Sequence, residues 1–126
     1  TAQQATIWYD QCLPQMEGAE ILTASESAPA MLMAVETGMA DFVVTDLPTA
    51  QGAVQAYPDL VLLDFTGTDG DFVFSDEVRE ENVNIGVSVK KGNTELVDKI
   101  NSVLNKMTVE DFNSMMAEAI SIQPGE

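Results

Sequence analysis

Two kinds of apolar pattern alternate along the chain: short runs rich in β-branched residues, and longer stretches with apolar positions three or four residues apart. Phe42 to Thr45 is a short run entered from a Gly-containing turn, and Leu60 to Leu63 is a second. Helix formers lie between them and end at Tyr57-Pro58, so the spacing predicts strand, helix, strand. Upstream, Thr1 to Tyr9 reads as a short strand turning at Ala5-Thr6 into a helix that carries Trp8, Cys12 and Leu13 and is limited by Pro14. Glu20 to Thr23 is a further short strand. Ser25-Glu-Ser-Ala-Pro then opens a helix, with Pro29 in its first turn, Met31, Leu32, Met33 and Val35 making it broadly apolar, and Gly38 ending it. Downstream, Phe72 to Phe74 is a brief strand and Ser75 to Glu81 a charged connector. Val83 to Lys90 alternates as a strand, with Gly86 allowing a bend or a close approach. Gly92-Asn93 is a turn and cap for a helix bearing Leu96, Ile100, Val103, Leu104 and Met107, with Glu95 and Lys99 an i,i+4 pair. Thr108 opens the last helix, with Asp111 three residues on as an imperfect capping box and Phe112, Met115, Met116, Ala119 and Ile120 on one face.

Charge changes the picture more than composition does. The net charge is −16, and the first 78 residues carry 13 acids and no base. Nucleic acid and anionic membrane faces both need phosphate neutralised by Lys or Arg, so neither suits this surface as a partner. The acidity is read as serving solubility rather than recognition. Cys12 is the single cysteine and there is no histidine, which excludes an intrachain disulfide, a Cys-based zinc site and nucleophile-plus-His catalysis. Cys12 is expected to be a packed thiol on a helix face. Asp64 to Phe72, rich in acids, Thr and Gly, does not have the spacing of a twelve-residue calcium loop and reads as a solvated turn. No metal or cofactor is expected. No run approaches the ~20 apolar residues of a membrane span, and Thr1-Ala-Gln-Gln is not a signal sequence. The protein is therefore expected to be cytosolic or to have lost an export signal.

Asp46 stands where the first of the central strands becomes a helix, at the end of a parallel strand where open α/β sheets hold their ligands. Pro48 marks the first helical turn, so Asp46 or Leu47 is the cap. Spacing alone leaves Asp46 divided between a helix cap and a ligand-facing carboxylate. Thr6 is divided in the same way, since it either caps the first helix or contributes, with the Ile7 amide, to an anion site at the helix start. Trp8 reads as partly buried core before it reads as a stacking platform, Met31, Met33 and Met39 as core filling, and Asp41 and Asp59 as turn residues.

The order of these blocks carries a resemblance. Ala5-Thr6 after a strand, then Ser-Ala-Pro-Ala-Met-Leu, Gly38-Met-Ala-Asp-Phe-Val-Val-Thr-Asp46 and Tyr57-Pro-Asp-Leu, then Asn84-Ile-Gly-Val-Ser-Val-Lys-Lys-Gly-Asn93-Thr-Glu-Leu-Val-Asp-Lys-Ile-Asn101 resemble the second half of an amino-acid-binding protein of an ABC transporter. These are the two-lobed extracytoplasmic receptors of the type II periplasmic binding protein fold. The resemblance implies a three-layer α/β/α lobe with a mostly parallel sheet, a hinge-type strand and C-terminal helices. It implies a ligand-binding second lobe over residues 1–80, a return hinge strand over 81–91, and helices over 92–126 that belong largely with a first lobe outside this chain. The chain departs from the family where a Gly-Thr pair is usual after the first strand and Ala5-Thr6 stands instead.

By the same resemblance Thr6 and the Ile7 amide take the carboxylate of a free, polar amino acid and Asp46 its ammonium, with Gln3 beside the ligand side chain and Thr45 beside Asp46. The chemistry requires donors for one charge and an acceptor for the other within a few ångströms. The implied function is the substrate-binding component of an amino-acid transporter, extracytoplasmic, closing on its ligand and docking on a permease. Two alternatives remain: a ligand-sensing domain of a membrane receptor, and a dehydratase-like enzyme on the same scaffold. The enzyme is disfavoured by the lack of His and of a second acid near Asp46 in sequence. A dimer or a domain exchange is also expected, through incompletely covered faces of the last two helices.

Overall fold

The computed structural model describes residues 1–83 and 85–122. The chain divides into two compact units, Thr1–Asn84 and Ile85–Glu126, so the division falls inside the segment expected to be a return hinge.

In the first unit three extended segments run side by side. The Val44 amide donates to the Thr1 carbonyl (3.0 Å) and the Thr1 nitrogen to the Phe42 carbonyl (3.1 Å). On the other side the Ser25 amide donates to Ala2 (2.9 Å) and the Gln4 amide to Ser25 (2.8 Å). These bonds make two isolated parallel bridges, Ala2 with Val44 and Gln3 with Ser25. Around them Ala2, Cys12, Leu13 and Val44 form a buried cluster, with Trp8, Tyr9, Met16, Phe72 and Phe74 packed against it. Gln15 fastens the Phe72–Phe74 segment to this cluster, because its side-chain amide donates to the Val73 carbonyl and accepts from the Val73 amide, both at 2.9 Å. A side chain here takes the place of a neighbouring strand.

The expected three-layer lobe with a mostly parallel sheet is not the architecture. The chain is about 50% helical with 3% in bridges, and no sheet is present among the described residues. Phe42 to Thr45 yields one bridge at Val44, while Glu20 to Thr23, Leu60 to Leu63, Phe72 to Phe74 and residues 85–90 are irregular; Asn84 lies outside the described residues. An apolar β-branched run prefers extended backbone and cover, but a strand also needs a partner that donates and accepts along its length. Val61 and Leu63 are 81% and 72% exposed, so the Leu60 to Leu63 run lacks that cover. The charged connector is instead a short helix, Asp76–Val78, capped by Ser75 and continued by a π-type turn over Arg79–Val83, with the Arg79 guanidinium 5.7 Å from the Phe74 ring centre.

The helices follow the predicted pattern. The Ala28–Glu36 helix has Ser27 as its cap, its hydroxyl accepting from the Ala30 amide, and Gly38 beyond its end at φ 73°, a conformation glycine adopts without steric cost. The Leu47–Ala56 helix begins at Asp46. In the second unit, Asn93 accepts from the Leu96 amide to start Thr94–Leu104, and Thr108 with Asp111 forms a complete capping box for Val109–Ser121. Neither of these two helices has a buried residue.

Candidate functional site

The parallel direction of the three segments decides where the candidate residues emerge. Ala2 lies opposite Val44 and both segments run the same way, so Thr6 and Ile7 follow one and Asp46 follows the other at the same end. The backbone turns sharply at Ala5, whose φ of 56° lies in the left-handed region. A residue with a Cβ is strained there by roughly 1–2 kcal/mol. This is the position at which the resemblance implies glycine, and alanine carries the cost.

Helical backbone starts at Ile7 and continues as a π-type segment, Trp8–Cys12, followed by a 3-10 turn, Leu13–Gln15. The Thr6 carbonyl accepts from the Tyr9 and Asp10 amides, at 3.2 and 3.1 Å. The amides of Ile7 and Trp8, the first of the helix, have no acceptor among the described residues, which is the ordinary state of a helix start that no side chain caps. The Thr6 hydroxyl donates to the Gln3 carbonyl at 2.7 Å. Its proton is therefore engaged within the turn, and the backbone amides are the donors that remain.

An open cleft of about 400 Å³ lies over this turn, lined by Ala5, Thr6, Ile7, Trp8, Asp10, Gln11 and Asn82. That is within the ~300–1,000 Å³ of small-molecule clefts. Thr6 and Ile7 line it; Gln3, Thr45 and Asp46 do not. Asp46 is half-buried and accepts at both carboxylate oxygens: from the Thr49 amide at 2.9 Å on Oδ1, and from the hydroxyls of Thr49 at 2.9 Å and Thr45 at 3.5 Å on Oδ2. The cap half of its two readings is thus satisfied in full, and its further lone pairs are what a ligand could use. Gln3 is half-buried at the bridge to Ser25.

Asp10, Gln11 and Asn82 line the cleft without having been singled out by the sequence. Asp10 and Gln11 could have been found by placing the helix one turn past Thr6. Asn82 carried no signal, because it falls between the expected connector, Ser75 to Glu81, and the expected strand, Val83 to Lys90, where the chain instead forms the π-type turn Arg79–Val83. Cys12 is fully buried, and that burial, with the Asp71 carboxylate as a second cause, pushes its thiol up to about 11. It is a protonated packing group. Among the described residues no group of three or more His, Cys, Asp or Glu could hold a metal ion, and no helix is long and apolar enough to cross a membrane. No protein-family model, curated protein or solved structure matches the chain.

Proposed function

We propose that the first unit supplies half of a binding site for a free amino acid, in an extracytoplasmic receptor that serves a permease. The observation that carries the reading is the common end at which Thr6-Ile7 and Asp46 leave two adjacent parallel segments, with an open cleft beside the first pair. The Ile7 and Trp8 amides take the carboxylate, since a helix start directs unpaired donors and positive potential outward. Asp46 takes the ammonium while remaining the cap of its own helix. Gln3 and Thr45 flank these groups, and the opposing lobe completes the enclosure. The activity is binding, and no bond is made or broken.

A hydrogen bond to a charged group contributes about 1.5–3 kcal/mol, so a half-site with two or three of them binds weakly once the cost of association is met. Isothermal titration of the chain with a panel of free amino acids therefore gives dissociation constants weaker than micromolar. Asp46→Asn, which keeps a capping oxygen and removes the charge, weakens that binding about tenfold or more. Micromolar or tighter binding by the isolated chain would defeat the half-site, and an Asp46→Asn variant that binds as well as the parent would remove Asp46 from it.

A further inference from the structure

Three residues that line the cleft carry side chains with no part in gripping the two charges common to all amino acids: Trp8, Asp10 and Asn82. Trp8 is half-buried, packs against the core cluster and also lines the opening. Asp10 is exposed, two residues further along the same helix, and Asn82 comes from a different segment of the same unit. No basic residue lines the cleft. Arg79 is the one base in the chain before Lys90, and it stands over the Phe74 ring. The unit around the cleft is accordingly strongly negative, and an open cleft in such a unit concentrates cations and repels anions.

We infer that the cleft selects an amino acid with a positively charged side chain. This rests on the amino-acid reading above and adds the substrate class to it. Asp10 is the counter-charge for the side-chain cation. The Trp8 face attracts the same cation through the ring quadrupole, an effect strongest for indole among the aromatic side chains. The Asn82 carbonyl accepts from a guanidinium or ammonium hydrogen. An acidic ligand meets a like charge at Asp10, and an aliphatic one leaves Asp10 and Asn82 unanswered.

The test is an NMR titration of the isotopically labelled chain with L-arginine, L-lysine, L-leucine, L-glutamate and agmatine, which is arginine without its carboxylate. Arginine and lysine are expected to shift the Trp8 indole and Asn82 side-chain signals with affinity at least tenfold tighter than leucine or glutamate. Raising the salt should narrow the difference, and Asp10→Asn should bring arginine and lysine down to the level of leucine. Equal affinity for all four amino acids, or a preference that survives Asp10→Asn, overturns the inference and leaves the amino-acid reading standing. Agmatine binding as tightly as arginine, with no response at the Ile7 amide, upholds the cation cleft and overturns the amino-acid reading. Silence at Trp8 and Asn82 with every ligand overturns the inference outright.

Discussion

The two units begin their helices in the same way and differ in what those helices are held against. In Thr1–Asn84, Ser27 and Asp46 cap helices that include Met31 and Ala53 as buried residues, and a separate cluster forms around Cys12 and Leu13. In Ile85–Glu126, Asn93 and Thr108 cap their helices just as completely, yet Val103 is 59% and Phe112 45% exposed and nothing on either helix is buried. A cap adds about 1 kcal/mol, and isolated helices under ~12–15 residues are marginal in water without an apolar face to bury. Local signals can therefore be complete where tertiary stabilisation is not. The first unit should unfold as a cooperative body, and the second should gain order with whatever covers its apolar faces.

The widest separation between the units is expected from truncating a leucine in each. Leu13, 1% exposed, should cost about 2–5 kcal/mol when changed to alanine, as a cavity opens beside Cys12 and Val44. Leu96, 41% exposed, should cost under about 1 kcal/mol, because most of its surface is already in water. Urea unfolding followed by Trp8 fluorescence for Leu13→Ala, and by far-ultraviolet circular dichroism for Leu96→Ala, measures both. Equal losses would erase the contrast.

What the sequence disclosed follows the same division. Caps and helical periodicity are written within four residues of where they act, so Ser27, Asp46, Asn93 and Thr108 were legible, as were the apolar stripes of the last two helices. Strand pairing is written nowhere locally. Leu60 to Leu63 and Val83 to Lys90 show the composition of strands, but whether a partner lies alongside depends on segments dozens of residues away. The expected sheet rests on runs with the composition of strands that are mostly unpaired among the described residues. At the site, the Thr6-Ile7 turn and the Asp46 cap could be read from residue type. Asp10 could be reached only by carrying the helix one turn past Thr6, and Asn82 not at all, because a cleft is made by packing rather than by spacing.

Alkali should distinguish the units next. The Cys12 thiol is pushed up in the folded state, so the unfolded chain releases its proton first, near a free thiol's pKa of ~8.5. Stability of the first unit is then fully present below that pH and is lost as pH rises towards the folded value of about 11. Unfolding midpoints of the parent and of Cys12→Ala across this range should converge as pH rises. The second unit has no cysteine, and its helix content should not show this Cys12-dependent loss.

Removing a cap should have a similar effect in either unit, which sharpens the comparison by showing what they share. Asp46→Ala deprives the Thr49 amide of its acceptor and should cost about 1 kcal/mol. Thr108→Ala breaks the capping box and should weaken the last helix by a comparable amount. In the first unit the loss should lower the midpoint of the whole transition, and in the second it should lower helix content alone. Hydrogen exchange read residue by residue separates these outcomes. Ala5→Gly runs the other way: relief of the φ 56° strain, less the greater freedom glycine has when unfolded, should leave a gain of up to about 1 kcal/mol.

The smallest effect belongs to the Glu95–Lys99 pair, whose oxygen and nitrogen are 2.6 Å apart with side chains 80% and 69% exposed. Water screens such a pair and two long side chains must be held still to make it, so Glu95→Gln should weaken the Thr94–Leu104 helix by about 0.2–0.5 kcal/mol. Raising the salt from low to molar concentration should abolish even that difference between parent and variant in circular dichroism. A larger, salt-resistant loss would mean that Glu95 is packed against something in solution. The uncovered second unit would then already have found its cover.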